Sequence, residues 1–385
     1  MSRAELDKVL EAMLAAGERV SDINFSPGRP PQMEVDSQLV PFDRVGVLTP
    51  EKTEKIAKLI IGENQDLAAD LERKGSCDCS LQVPNGPRFR VNVFLVDGAH
   101  AIVLRSLPTQ IPTLASLQLP EALGKVPELK NGLVLVTGGT GSGKSTTLAA
   151  IIDAINTTRA VHIVTLEDPI EFKHPHKKST INQRELGKDY KDFVDGLRAA
   201  LRQAPKVILV GEMRDRATVE IAMKAAETGH LVFSTLHTID AGQTIGRIVG
   251  MFEASEANLV RGRLAQMLRY VIGQRLLPKD GGGRVAALEI MGNDTRVREL
   301  IVEGEGRERT FAKIIAESRS FGWQTFDQHI VDLFDAGHVT EDIALSYGSD
   351  RAEVRRQLDQ RIAKRGQKTS EIGDLEMAFT RRVQR

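Results

Sequence analysis

One nine-residue stretch restricts this chain more than any other: Gly138-Gly139-Thr140-Gly141-Ser142-Gly143-Lys144-Ser145-Thr146. An apolar run, Leu133-Val134-Leu135-Val136, precedes it, and Thr147-Leu148-Ala149-Ala150-Ile151-Ile152 follows with helical character. Strand, glycine-rich loop and helix in that order form the phosphate-binding pattern G-x-x-x-x-G-K-[ST]. Glycines let the loop curl until successive backbone amides point inward at a β-phosphate. The positive end of the next helix favours the same anion. Lys144 is expected to bridge the β- and γ-phosphates, and the Ser145 hydroxyl to ligate Mg²⁺. A glycine turn needs no ligand, but this many matched positions in the required context make a nucleotide triphosphatase site. Such a site commits the chain to an α/β sheet.

The rest of the composition narrows the class. At 385 residues the chain has room for more than one domain and for real cores. Lys+Arg and Asp+Glu both number 52, so no global charge calls for a nucleic-acid partner. The start carries no secretory signal, and no apolar run approaches the ~20 residues of a membrane span. A cytoplasmic protein that meets a membrane only through partners is the expectation. Cys77 and Cys79 are expected to point to opposite faces of a strand as ordinary reduced thiols.

Along the chain, residues 3–17 carry Leu6, Val9, Leu10, Met13 and Leu14 at helical spacing. Strands are expected at 22–25 and 32–36, a helix capped by Thr49-Pro50, and a second helix at 66–74. Three further strands follow, at 77–83, 88–96 and 100–107. Residues 1–107 therefore read as an antiparallel α+β domain. Residues 108–131, rich in Pro and Leu, read as a linker with a short helix. A second domain, 132–347, alternates strands at 133–136, 163–166, 207–210 and 231–235 with helices, which implies a mostly parallel sheet. From His237 to Gly273 it is expected to be mainly helical, then to turn at Gly281-Gly282-Gly283 into a strand over 284–291 and a helical end. Residues 348–385 form a charged tail with a basic excess. Its first half has helical character, and its end lacks a sustained apolar face, as a mobile or docking segment would.

Three constellations fall at strand ends, where ligands bind in such sheets. In Thr165-Leu166-Glu167-Asp168-Pro169-Ile170-Glu171, Glu167 is placed to hold or activate the attacking water. Val207-Ile208-Leu209-Val210-Gly211-Glu212-Met213-Arg214-Asp215 is a Walker B-type strand in which Glu212 replaces the usual Asp and reaches Mg²⁺ through a water. Arg216 reads as structural, and Arg214 stays open between an ion pair and signalling between subunits. In Gly229-His230-Leu231-Val232-Phe233-Ser234-Thr235-Leu236-His237, His237 is a candidate γ-phosphate sensor. His230 is a second candidate at the nucleotide, equally consistent with a structural role.

These boxes, in this order, resemble the bacterial secretion ATPases, most closely the type IV pilus retraction ATPases of the PilT/PilU group. The resemblance covers about residues 3–347 and includes Ser21-Asp22-Ile23, Arg88-Phe89-Arg90-Val91-Asn92 and Gln324-Thr325-Phe326-Asp327. It implies an N-terminal PAS-like domain, a RecA-like P-loop NTPase motor domain with a helical C-terminal subdomain, and a homohexamer hydrolysing ATP with Mg²⁺ between subunits. Glu167 is then the catalytic carboxylate, and arginines within Arg88-Phe89-Arg90 and at Arg105 help neutralise the phosphates. The implied partners are an inner-membrane pilus platform protein and a paralogous retraction ATPase, with no nucleic acid, and the implied place is the cytoplasmic side of that membrane. The chain departs from the group at Gly139, where Pro is frequent, and at Ser234, where Gly is usual. Thr295-Arg296-Val297-Arg298-Glu299-Leu300-Ile301 keeps only part of the PilT retraction motif, while the basic tail and Gln203-Ala204-Pro205 look more like PilU. The subgroup stays open.

The implied work is pilus retraction and twitching motility. Pilus-assembly or type II secretion ATPases are the alternative, but they usually carry a longer N-terminal region and a tetracysteine zinc element. A nucleic-acid motor would want a basic groove with stacking aromatics, and aromatics are only 4% here. A slow regulatory subunit is disfavoured by the intact Lys144, Glu167 and Glu212.

Overall fold

Ser2 opens α1 (Arg3–Ala16) with a capping box: its hydroxyl accepts the Glu5 amide while the Glu5 carboxylate accepts the Ser2 amide. Leu6, Leu10 and Met13 recur a turn apart on this helix and are fully buried. The structure, a computed structural model, describes residues 1–364 apart from 18, 19, 36, 37 and 85. By contact the chain groups into two compact units. Met1–Ile111 with Thr165–His176 and Ile181–Gly196 form one, and Pro112–Val164, Lys177–Thr180 and the chain from Leu197 form the other.

The first unit is built on strands β1 (Asp22–Phe25), β2 (Gln32–Val35), β3 (Gln38–Pro41), β4 (Ser76–Gln82), β5 (Arg88–Val96) and β6 (Ala99–Ser106). They form a six-stranded antiparallel sheet in the order β3-β2-β1-β6-β5-β4. Helix α2 (Pro50–Ile61) starts from the Thr49 cap, and α3 (Gln65–Lys74) stops at Gly75 in the left-handed region. Ile23, Phe25, Phe89, Val91, Val93, Ile102 and Leu104 form the core with α1. Strand β3 is absent from the sequence reading. It is an edge strand with every residue exposed, so no inside–outside alternation marks it. The expectation that the two cysteines point to opposite faces is also overturned. Residues i and i+2 of a strand share a face; Cys77 is buried and Cys79 half-buried beside it on β4. Both thiols are free, and burial pushes Cys77 up to about 11 and Cys79 up to about 12.

After β7 (Gly132–Thr137) of the second unit the chain runs through α4 (Lys144–Thr158), β8 (His162–Glu167), β9 (Thr180–Glu185), α5 (Phe193–Leu201) and β10 (Val207–Val210), with the end of β8 from Thr165, β9 from Ile181 and the start of α5 to Gly196 grouped with the first unit. Then come α6 (Arg216–Glu227), β11 (Leu231–Leu236), α7 (Ala241–Val249), α8 (Ala257–Met267), β12 (Leu268–Pro278) and β13 (Arg284–Met291). The sheet order is β13-β12-β7-β11-β10-β8-β9. Strands β10, β11, β7 and β12 pair in parallel, and β13 turns back antiparallel along β12. Every residue of β7, β10 and β11 is buried, as strands covered on both faces require. This is the α/β class read from the sequence, with two strands added. Strand β12 corrects the expectation of helix through Gly273. The chain passes from Met267, the last residue of α8, directly into Leu268, and Tyr270, Val271 and Ile272 pair along β7; aromatic and β-branched residues favour that pleated surface. The other addition, β9, is a mostly polar edge strand.

Two stretches read as connections prove to be packed. In the expected linker, a 3-10 helix over Glu121–Glu128 fully buries Leu123 and Val126, and Arg159 donates to the carbonyls of Pro127 and Leu129. After α9 (Thr295–Glu303) and α10 (Phe311–Ala316), helices α11 (Phe326–Asp335), α12 (Glu341–Tyr347) and α13 (Arg351–Lys364) close the described chain. Val354 and Leu358 of α13 join Leu277, Val285, Phe326, Ile330 and Leu345 in one cluster. The first half of the expected tail is thus a helix with a buried face, and the rest lies outside the described residues. Among those residues no helix is long and apolar enough to cross a membrane, and no group of His, Cys, Asp and Glu could hold a metal by itself.

Candidate functional site

The phosphate loop leaves β7 at Thr137, and α4 begins at Lys144 with Gly143 as its left-handed N-cap. Gly138, Gly141 and Gly143 all hold positive φ, which side-chain-bearing residues adopt at a cost. At Gly138 there is also no space. A Cβ there would lie 2.3 Å from the Gln274 carbonyl oxygen and 2.7 Å from Ser142 Oγ. The Gln274 side chain, 2% exposed on β12, spans the loop's base: its Nε2 donates to the Ser142 carbonyl at 2.8 Å and its Oε1 accepts from Thr147 Oγ1 at 2.7 Å. Lys144 is buried, and its ammonium donates to the carbonyls of Gly138 and Gly139 at 2.8 and 2.9 Å. The loop's own oxygens thus hold the cation over the cradle. Thr137 Oγ1 and Ser142 Oγ are buried without a hydrogen-bond partner in the described chain. A tight glycine cradle, a helix start, a poised ammonium and spare hydroxyls fit a phosphate chain.

The parallel register brings two more candidates to the same edge. Thr137 of β7 pairs with Leu236 of β11, and Ser234 of β11 with Val210 of β10. His237 follows the first pair and Glu212 lies two residues beyond the second. Their side chains meet, with His237 Nε2 3.3 Å from Glu212 Oε1, while Arg214 Nε lies 2.8 Å from Glu212 Oε2. Arg214 is thereby in an ion pair with the acid it neighbours, and Arg216 pairs with Glu256 over the ring of Phe252. Ser234, where the resembling group has Gly, is fully buried and donates its hydroxyl to the Val210 carbonyl at 2.8 Å. His230 stands at the other end of β11, about 20 Å of strand from His237. Its Nδ1 lies 3.0 Å from the Ala225 carbonyl, which can only accept, so that nitrogen carries the proton. In this chain His230 closes the turn after α6, and the strand does not bring it to the phosphate loop.

Glu167, the last residue of β8, belongs to the first unit together with the residues that hold it. Its Oε1 accepts from Thr165 Oγ1 at 2.6 Å and from Gln183 Nε2 at 3.1 Å. Burial of the carboxyl pushes its pKa up to about 7, against those two hydrogen bonds, which favour the charged form. A carboxylate titrating near neutrality is suited to take a proton from water. Its backbone is fixed as well: the Glu167 carbonyl accepts the Leu186 amide at 2.9 Å and the Tyr190 hydroxyl at 3.1 Å.

The arginines separate. Arg90 and Arg105 are cross-strand partners on β5 and β6, both exposed, with Arg105 donating to Asp22 Oδ1 at 2.9 Å. Arg88 is turned inward and paired with the buried Glu185. Sequence reasoning missed Gln274, Gln183 and Glu185. Gln274 lies on a strand that the sequence reading placed largely in helix, and the other two lie on the polar strand β9.

Residues 72–281 match the family described as type II/IV secretion system protein. The chain is 43% identical over 331 residues to the type IV pilus retractation ATPase PilT of Pseudomonas aeruginosa, across 86% of this chain and 94% of that protein. It is 37% identical to the type IV pilus ATPase PilU of the same organism, across 91% and 90%. Among solved structures, the pilus retraction motor PilT with bound ADP is similar at a TM-score of 0.83 and 44% identity, across 91% of this chain and 98% of that one. The Legionella pneumophila ATPase DotB follows at 0.77 and 31%, across 89% and 95%. This chain belongs to the type II/IV secretion system protein family, as a nucleotide-using member.

Proposed function

We propose that this chain is a mechanochemical ATPase that drives type IV pilus retraction, and with it twitching motility. The observation that carries the reading is the phosphate cradle between Lys144 and Gln274, in a chain 43% identical to a pilus retraction ATPase along most of both lengths. Lys144 leaves its loop carbonyls for the β- and γ-phosphates of ATP, with Gly138 to Thr146 enclosing them. Ser145 and Glu212 would hold Mg²⁺, which would offset the charge of the transferred phosphoryl group. Glu167 orients and deprotonates the attacking water. His237, its Nε2 3.3 Å from Glu212 Oε1, reports on the γ-phosphate.

Lys144, His237 and Mg²⁺ when bound leave part of the phosphate charge unmatched. We assign the remainder to Arg90 and Arg105 reaching in from a neighbouring subunit, which makes a closed homohexamer the competent enzyme. An inner-membrane platform protein and a paralogous ATPase are the proposed partners, at the cytoplasmic face of that membrane. Deleting the gene should leave cells hyperpiliated and unable to twitch. Bald cells would overturn retraction in favour of assembly.

A further inference from the structure

Arg88 sits at the start of β5, inside the box that suggests a phosphate contact, yet its guanidinium points into its own unit. Side-chain exposure is 11% for Arg88, against 70% for Arg105. Its Nη2 donates to Glu185 Oε2 and, at 2.6 Å, to Ser80 Oγ. Glu185 is 5% exposed and receives three donors: Arg88, the Ser80 hydroxyl at 2.5 Å, and the Ile170 amide at 3.0 Å. A buried carboxylate needs both a counter-charge and filled lone pairs. Arg88 supplies the charge, and its Nη2 alone reaches both Ser80 Oγ and Glu185 Oε2.

What this pair holds in place is the surroundings of Glu167. Ile170 is the third residue after Glu167, so its amide on Glu185 fixes the turn that Glu167 enters. Gln183 lies two residues before Glu185 on β9 and projects to the same side. There it donates to Glu167 Oε1 at 3.1 Å and to the Phe172 carbonyl at 2.7 Å. Immediately after Glu185, the Leu186 amide donates to the Glu167 carbonyl. Strand β9 is therefore a bracket, with Glu185 bolted to β4 and β5 at one point and the Glu167 carboxylate held at another.

We propose that Arg88 and Glu185 are a positioning pair for Glu167, and that Arg88 serves the reaction through this buried ion pair and not as a ligand of the nucleotide. The proposal rests on Glu167 being the catalytic carboxylate. Purified full-length Arg88→Gln, Glu185→Gln and the double variant should be compared for ATP turnover and for equilibrium binding of a fluorescent ATP analogue. Each single variant should lose about ten- to a hundredfold in kcat, the scale of a small misplacement of a reacting group. The analogue should bind within about twofold of wild type, which also reports a folded site. The double variant should be no slower than the slower single one, because two neutral amides can still bond where one uncompensated charge cannot.

Tenfold weaker analogue binding in Arg88→Gln with normal kcat in Glu185→Gln would make Arg88 a phosphate ligand. Losses that multiply in the double variant would overturn the pair as well. Glu167→Gln, measured beside them, separates the two levels. Full turnover in that variant removes the catalytic carboxylate and the proposal with it. Turnover lost there, combined with either adverse outcome above, overturns the positioning pair alone.

Discussion

The side-chain amide of Gln274 donates to the Ser142 carbonyl at 2.8 Å, so strand β12 grips the phosphate loop from below. The same side chain accepts from Thr147 Oγ1 one turn into α4. The loop at Ser142 and the first turn of α4 are thus tied to one buried residue. Gln274→Leu keeps the volume but leaves the Ser142 carbonyl and the Thr147 hydroxyl unpaired, at a cost of about 1–3 kcal/mol in stability. A loosened cradle should also raise KM for ATP several-fold. Urea unfolding together with a substrate titration checks both, and unchanged values in both would show that the tie is idle.

Lys144→Ala removes the ammonium held on the Gly138 and Gly139 carbonyls. Phosphate release from ATP should fall to background while the circular dichroism spectrum stays that of the wild type. Substantial residual turnover would mean that the loop is not the nucleotide site.

The legibility of this chain follows its physics. The phosphate loop was plain because glycine spacing, lysine and flanking apolar runs all report one backbone geometry. Walker B and the histidine box were plain for a related reason: β10 and β11 are wholly buried, so β10 is an uninterrupted apolar run before Gly211-Glu212, and β11 opens on Leu231-Val232-Phe233 before its polar residues. What the sequence hid lies on elements whose pattern is weak. β3 is exposed throughout, β9 is polar, and β12 follows α8 without a break, so Gln274, Gln183 and Glu185 had no periodicity to announce them. Arg88 and Arg90 look equivalent in the chain, and only the fold shows one turned in on Glu185 and the other exposed.

Glu167 sets a pH dependence. With its carboxyl pushed up to about 7 by burial, the deprotonated form needed by a base is lost as pH falls through neutrality. kcat should therefore drop on the acid side of about pH 7. Gln183→Leu deletes a hydrogen bond that favours the charged carboxylate, so its acid limb should move to higher pH, with turnover several-fold below wild type near pH 6.5. A wild-type kcat that stays level from pH 6 to 8 would exclude this titration as rate-controlling.

His329 sets a different pH dependence, one of stability. It is 7% exposed on α11, and its Nδ1 accepts the Leu288 amide of β13 at 2.9 Å. That acceptor role requires the ring to be neutral at Nδ1. Burial holds its pKa down at about 4 against an ordinary 6.5, Arg319 adding to the effect and Asp332 opposing it. The folded ring thus stays neutral where the unfolded one takes up a proton. Above pH 6.5 neither state binds that proton, and His329 contributes nothing to the pH slope. Below it, stability should fall by up to about 1.4 kcal/mol per pH unit, down to about pH 4. Other groups titrate in the same range, so the informative quantity is the difference between wild type and His329→Gln, whose amide oxygen can still accept from Leu288. Urea unfolding at pH 7.5, 6, 5 and 4.5 should show the variant less stable or equal at the first value and gaining on wild type at each step down. A difference that stays constant over that range would mean that the ring is protonated, or solvated, in the folded state.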